Sequence, residues 1–182
     1  MKNIHTFGYM EKIFESGIKL KGIEPDWVVS QLREISVDYI NFDGEKKDGI
    51  IICNKFISQD LHMIFNYLLE IEFPIQSIRP ISEFNWDDDL SCSNNNTSCF
   101  NYRKVMGTDK LSDHSIGMAI DINPMQNPWV HPRMGNLPKG SKYDISQNGT
   151  ITEKISNVFK SHGFKWGGDW KNPDYQHFYK NV

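Results

Sequence analysis

The sequence predicts an α+β domain in which a small antiparallel sheet is flanked by helices. Helical and strand patterns alternate irregularly, and turns or loops join the predicted strands, which favours an antiparallel over a wound parallel sheet. The chain has 182 residues, enough for one domain with an N-terminal extension and a sizeable core. We expect a mostly helical extension over residues 1–45 and the main domain over residues 46–182.

The elements of the first third follow from local signals. Pro25 and the capping residue Asp26 predict a helix that runs to Ile35. Residues 41–44 carry a turn signal, and residues 49–53 form an apolar run typical of a short strand. A second helix is predicted over residues 59–71, capped by Ser58, because its apolar residues recur with the helical period.

The middle of the chain alternates short strands and loops. We predict a strand over residues 76–84, a polar loop over 85–98 and another strand near 99–104. Residues 117–123 alternate large apolar side chains with small or polar ones, which is the strand period of two. Residues 124–149 are rich in proline, glycine and asparagine and are predicted to form a long surface excursion.

The C-terminal part contains one helix and a final strand. The sequence from Thr150 to Glu153 has the form of a capping box, and the helix behind it is predicted to run to about His162. Gly163 suits the position after a helix C-terminus, since glycine accepts a positive φ at low cost. Residues 164–180 are predicted to form a turn and a strand.

Composition and charge exclude several classes of protein. The net charge of −3 offers no basic field for nucleic-acid binding. No apolar run is long enough for a transmembrane helix. The start of the chain lacks the basic and apolar segments of a secretory signal, so the protein is either made without one or has lost it. Three cysteines are too few for a disulfide scaffold; Cys92 and Cys99 either pair or remain free thiols like Cys53.

Two segments carry the chemical signal, residues 112–121 and residues 174–177. Together they supply His114, Asp121 and His177 as candidate zinc ligands and a further carboxylate, Asp174. Three protein ligands leave one position open on zinc, which is typical of a catalytic site.

The spacing of these residues sets conditions on the fold. A straight extended chain would hold His114 and Asp121 roughly 23 Å apart and on opposite faces, so the chain must bend between them. Gly117 permits the positive φ that such a bend requires. Asp174 and His177 are three residues apart and would share one face of a single helical turn. A carboxylate such as Asp121 in an apolar strand is costly to bury unless it is paired or binds a metal.

The pattern SxHxxGxAxD, followed by (D/E)xxH near the C-terminus, resembles the M15 family of zinc D,D-peptidases. The family includes D-alanyl-D-alanine carboxypeptidases and dipeptidases and L-alanyl-D-glutamate endopeptidases. Residues 94–107, 112–130 and 166–178 are similar to blocks of its carboxypeptidase-like branch, and the resemblance extends over about residues 48–180. It implies a hedgehog/D,D-peptidase-like zinc fold and an M15-like zinc peptidase domain over residues 46–182.

The resemblance also assigns expected roles to individual residues. His114, Asp121 and His177 match the zinc ligands, and Asp174 takes the position of the catalytic acid/base. Arg103 matches the arginine that pairs with the substrate carbonyl oxygen or a substrate carboxylate, with Arg79 as the alternative. Four further residues are expected to support the site or line a substrate groove, although for the aromatic ones plain packing is an equal alternative: Ser112, Trp166, Trp170 and Tyr175.

The implied function is a zinc-dependent (Zn²⁺) peptidase acting on peptidoglycan stem peptides. The sequence blocks favour D-alanyl-D-alanine carboxypeptidase-like cleavage, with L-alanyl-D-glutamate endopeptidase as the alternative in the same class. A hedgehog-like zinc-containing binding module and a purely structural domain are alternatives from other classes. We expect action at the cell wall outside the cytoplasm, and no protein partner is implied.

Overall fold

A computed structural model gives the structure of residues 25–181, and the α+β class is confirmed there. Predictions that fall on residues 1–24 lie outside the described residues. The helices are α1 (Pro25–Gln31), α2 (Ser58–Glu70), α3 (Asp88–Ser93) and α4 (Glu153–Ser161). The strands are β1 (Leu32–Ile40), β2 (Lys46–Asn54), β3 (Ser77–Ile78), β4 (Asn96–Thr97), β5 (Ala119–Asp121), β6 (Trp129–His131), β7 (Gly135–Leu137), β8 (Lys165–Trp166) and β9 (His177–Tyr179). Short 3₁₀ helices cover Ile81–Phe84, Asp113–Ile116 and Gly167–Asp169.

The strands form several small sheets. β1 and β2 make an antiparallel hairpin whose register runs from Leu32 opposite Asn54 to Ile40 opposite Lys46. β5, β9 and β8 form an antiparallel sheet in that order, and β6 and β7 form a second hairpin. The predicted small antiparallel sheet is therefore present, and β3 and β4 add a two-residue parallel pair that the sequence did not indicate.

One hydrophobic core joins the β1–β2 hairpin, α2, α4 and the three-stranded sheet. The predicted apolar stripe of α2 is confirmed, because Leu61, Ile64, Phe65 and Leu68 are all buried. From the other side, Phe159 of α4 stacks on Phe178 of β9 with ring centroids 3.9 Å apart. This core holds β5 and β9 in fixed positions.

The predicted helix beyond Gln31 was wrong. α1 ends there, and β1 begins at Leu32 and buries Val37 and Tyr39 by alternation. The reason is long-range pairing with β2, which overrides the helical signal of the preceding residues. The predicted boundary after residue 45 falls in the turn of this hairpin, so the mostly helical extension is not observed for residues 32–45.

Three predictions for the middle of the chain were also wrong. The expected strand over 76–84 is reduced to β3 followed by a 3₁₀ helix. The expected polar loop over 85–98 contains α3, which Asp87 caps by accepting a hydrogen bond from the N–H of Leu90. Residues 99–104 form no regular strand. Side chains of remote segments hold the first and third stretches, because Asn96 Oδ1 accepts a hydrogen bond from the N–H of Arg79 and Ser115 Oγ accepts one from the N–H of Arg103. The helix in the second stretch follows from its own capping residue, a local signal that the loop prediction overlooked.

The helix ends differ in detail from expectation. Ser58 is the first residue of α2 and its hydroxyl donates to the carbonyl of Lys55, so it is not a capping acceptor. Thr152, not Thr150, caps α4, and Gly163 follows that helix with φ +81° as predicted.

All three cysteines are free thiols. Among the described residues no helix has the length and apolar character that spanning a membrane requires.

Candidate metal centre and its cavity

The register of the three-stranded sheet brings two of the predicted ligands together. Asp121, the last residue of β5, lies directly opposite His177, the first residue of β9. The preceding pair, Ile120 and Phe178, is fully buried in the core. Because side chains alternate along a strand, Asp121 and His177 share the other face of the sheet.

The third ligand reaches this face through the predicted bend. His114 lies in the 3₁₀ helix Asp113–Ile116, where Ser112 Oγ accepts a hydrogen bond from its backbone N–H at 3.3 Å. Gly117 ends that helix with φ +70° and turns the chain into β5. The Gly117 carbonyl accepts a 2.8 Å hydrogen bond from the N–H of Asn54, which ties the bend to the end of β2.

The three side chains converge on one point. His114 Nε2 lies 3.1 Å from His177 Nδ1, and these nitrogens lie 3.2 and 3.0 Å from the two carboxylate oxygens of Asp121. Ligand bonds of about 2.0–2.1 Å at tetrahedral angles would place neighbouring ligand atoms roughly 3.3 Å apart on zinc. Two nitrogens and a carboxylate oxygen at this separation fit such an ion, so the trio could hold a metal.

The surroundings of the trio fix its charge and proton positions. His114 Nδ1 faces the carbonyl oxygen of Cys99, which only accepts, so Nδ1 carries a hydrogen and Nε2 is the nitrogen directed at the trio. Burial raises the pKa of Asp121, but the attraction of the two imidazoles outweighs this and holds the pKa far below its usual range. Burial lowers the pKa of His114, yet the Asp121 carboxylate raises it above its ordinary value. The buried carboxylate therefore favours a positive charge between the rings.

Asp174 lies beside the trio in a turn and not on a helix, which corrects the predicted helical spacing. The N–H of His177 donates to the carbonyl of Asp174 at 3.3 Å, and the N–H of Asp174 donates to Gly167. The residue is half-buried, but its Oδ1 is shielded from solvent and has no hydrogen-bond partner within the described chain. Burial, together with repulsion from Asp121, raises the pKa of Asp174 to about 7, although His177 and Arg103 oppose the rise.

Arg103 is fixed next to the same motif. Its backbone N–H donates to Ser115 Oγ at 3.0 Å, and its carbonyl accepts from the N–H of Ser112. Its Nε forms an ion pair with Asp88 Oδ1 at 3.0 Å. Burial lowers the pKa of Arg103, but Asp88 and Asp121 raise it above its ordinary value, so the guanidinium stays charged. Arg79, the sequence alternative, is exposed and pairs with Glu83.

These groups line a common cavity of about 680 Å³. Ser112, Trp170, Asp174 and Arg103 contribute to its wall together with the trio. Trp166 and Tyr175 are not among the residues that line it, and their contacts correspond to the packing alternative that the sequence left open. Trp166 is buried and its Nε1 donates to the carbonyl of Tyr175, whose ring stacks on Tyr143 at 3.6 Å.

Residues 106–180 match the model of an M15 peptidase family described as D-alanyl-D-alanine carboxypeptidase. Over this segment, which is less than half of the chain, the sequence is similar to M15 peptidases. The segment contains the trio and Asp174, whereas Arg103 lies just before it.

Among curated proteins, the chain is similar to the peptidoglycan L-alanyl-D-glutamate endopeptidase CwlK of Bacillus subtilis (strain 168). It is 35% identical over 68 residues, which are 36% of this chain and 37% of the relative. The chain thus matches little more than a third of that protein's length. No solved structure matches the chain significantly, and the hedgehog/D,D-peptidase-like fold stays a prediction.

Sequence reasoning missed several residues of the candidate site. Gln176 lines the cavity at 7% exposure, and its Oε1 has no hydrogen-bond partner within the described residues. Its position between Asp174 and His177 was a signal that could have been used. Asp88, the partner of Arg103, was assigned to a polar loop, and the carbonyl of Cys99 orients His114 through a backbone atom that carries no side-chain signal.

Proposed function

We propose that the chain is a zinc-dependent peptidase that hydrolyses peptidoglycan stem peptides at the cell wall, outside the cytoplasm. The observation that carries the proposal is the meeting of the His114–Asp121–His177 trio with Asp174 and Arg103 in one cavity. The M15 match of residues 106–180 supports the peptidase class. The relative from Bacillus subtilis supports peptidoglycan as the substrate.

His114, Asp121 and His177 would hold the zinc ion. When bound, zinc supplies Lewis-acid chemistry: it lowers the pKa of water and polarises a carbonyl group. Zinc needs imidazole nitrogens without their proton, and the hydrogen bond from His114 Nδ1 to Cys99 leaves Nε2 available in that state.

The protein's own residues then account for the proton transfers. Asp174 accepts a proton from the attacking water and delivers it to the departing amine, and a pKa near neutrality suits both steps. The Arg103 guanidinium stabilises negative charge as it develops on the scissile carbonyl oxygen. The partial burial of Arg103 strengthens its attraction for that oxygen, because solvent screens the charge less.

Two bonds in a stem peptide are candidates for cleavage. We favour D-alanyl-D-alanine carboxypeptidase-like cleavage, which the description of the matching family supports. Arg103 and Lys139 are cations on the cavity wall, and either suits a terminal carboxylate. L-alanyl-D-glutamate endopeptidase activity is the second candidate, because the 35%-identical relative bears that name.

Mass spectrometry of peptidoglycan fragments tests the proposal. Zinc-loaded protein is incubated with purified muropeptides that carry pentapeptide stems, beside Asp174→Asn as the matched control. We expect loss of one terminal D-Ala from the pentapeptides, and no loss with the variant. Release of stems cut after L-Ala would identify the endopeptidase instead.

Two further outcomes separate the alternatives from other classes. A protein that holds stoichiometric zinc but cleaves neither bond would contradict the peptidase proposal and favour a zinc-containing binding module. A protein that neither contains nor takes up zinc would favour a structural domain, which elemental analysis of the purified chain detects.

A further inference from the structure

A second groove of about 740 Å³ adjoins the catalytic cavity. Five residues line both: Val105, Met106, Trp129, Met134 and Trp170. Four of them are large apolar side chains with unusual exposure, between 37% for Val105 and 51% for Met134. A contiguous exposed apolar surface that continues an active-site cavity is typical of a ligand-binding groove.

The catalytic cavity and the adjoining groove differ in charge. Among the described residues, the catalytic cavity is lined by six aspartates and only two cations other than histidine, Arg103 and Lys139. The adjoining groove is lined by Arg133 and Lys171 and by no carboxylate. Neither Arg133 nor Lys171 forms an ion pair with a described residue. Two cations in an apolar groove, without a partner in the described part of the chain, would attract an anionic group of a ligand.

The segment that carries Arg133 is held in place. It forms the turn between β6 and β7, and His131 Nδ1 accepts hydrogen bonds from the N–H groups of Arg133 and Met134 at 3.2 and 3.1 Å. The ring of Trp129 meets His131 edge-on with centroids 4.7 Å apart. The backbone of Arg133 is therefore positioned on a rigid hairpin beside one of the two shared tryptophans.

We propose that this groove binds the part of the stem peptide away from the scissile bond, and that Arg133 and Lys171 bind a free carboxylate there. The inference rests on the proposed function, whose substrate extends from the cavity into the groove. A D-glutamate residue linked through its side chain keeps a free α-carboxylate, so it is the anion that fits. The apolar wall accommodates the alkyl parts of the peptide, and the acidic cavity suits the amino group of a neighbouring diamino residue.

The test measures binding separately from cleavage. Three synthetic pentapeptides are compared: one with the free D-glutamate α-carboxylate, one with that carboxylate amidated, and one amidated at the C-terminus instead. Their dissociation constants are measured by calorimetry at low salt on the zinc-loaded Asp174→Asn variant of the 182-residue chain. Two further proteins carry additional substitutions on the same Asp174→Asn background. One is the double variant Arg133→Gln with Lys171→Gln; the other is the control Lys154→Gln, which removes an exposed cation on α4 outside the groove.

We expect the starting protein to bind the free carboxylate roughly fivefold more tightly than the D-glutamate amide, as two solvent-exposed ion pairs allow. The double glutamine variant should bind both equally, and Lys154→Gln should keep the preference. Salt should weaken the preference.

An unchanged preference in the double variant would overturn the inference. The inference would also be overturned if the double variant stopped discriminating against the peptide amidated at the C-terminus but still discriminated against the peptide amidated at D-glutamate. Cleavage of the same peptides by the wild-type protein tests the proposed function independently. If the wild-type protein binds the free carboxylate preferentially but cleaves none of the peptides, the proposed peptidase activity is contradicted and the binding inference is not.

Discussion

Replacing Gly117 with alanine tests how the bend between His114 and Asp121 supports the metal centre. Gly117 has φ +70°, a conformation in which an L side chain is strained. A Cβ atom built there would lie 2.7 Å from the backbone nitrogen of Asn54 and 3.0 Å from Leu32 Cδ2. Backbone at β2 cannot move aside as a flexible side chain can, so the bend and the hairpin must separate.

The expected cost has two parts. The left-handed conformation costs alanine about 1–2 kcal/mol, and overpacking against fixed neighbours adds about 1–3 kcal/mol. The free energy of unfolding should therefore fall by about 2–5 kcal/mol. Because the shift moves His114 relative to Asp121, zinc affinity should also fall, by roughly tenfold.

Gly44→Ala is the matched control. Gly44 has φ +78° in the turn between β1 and β2, and no atom lies within 4 Å of the site of its Cβ. The control should cost only about 1–2 kcal/mol and leave zinc affinity unchanged. Urea unfolding of the zinc-free proteins and zinc titration of the folded ones measure both quantities. Equal losses for Gly117→Ala and Gly44→Ala would refute the steric argument.

Three further substitutions test individual side chains. Asp174→Asn should stabilise the zinc-free protein above pH 7: the carboxyl pKa rises from 3.8 to about 7 on folding, so wild-type stability falls between these pH values. Such a pKa shift is worth about 4 kcal/mol at most, and partial exposure of the side chain reduces the expected gain in the free energy of unfolding to about 2 kcal/mol. Urea unfolding at pH 8 and pH 4 should show this gain at pH 8 only. Gln176→Met removes a buried carbonyl oxygen that has no partner within the described part of the chain, so the free energy of unfolding should rise by about 1 kcal/mol. The substitution also removes the side-chain hydrogen bond to Asp174, so kcat/KM should fall; lower stability with unchanged kcat/KM would contradict this. Asp121→Asn should abolish stoichiometric zinc in elemental analysis, whereas Asp113→Asn, an exposed neighbour of His114, should retain it.

Local signals predicted those parts of the fold that local forces determine. The apolar stripe of α2 and the positive φ of Gly163 followed from periodicity and glycine chemistry, and the structure has both. The strand β1 did not follow, because its pairing with β2 is a contact between segments. α3 was missed for a different reason: its cap Asp87 is a local signal inside a polar stretch, to which Asn101 adds a hydrogen bond on Asp88 from another segment.

For the site, the identity of the three converging side chains was contained in the sequence, because their residue types and their spacing around Gly117 restrict the chemistry. The register of β5 against β9 could not be predicted from the sequence, and this register places Asp121 opposite His177. Burial of Gln176, packing of Trp166 away from the cavity and the cationic groove beside Trp170 likewise depend on which segments meet. Residue type and local spacing set what each group can do, whereas the distances and exposure that decide its use arise only when remote segments pack together.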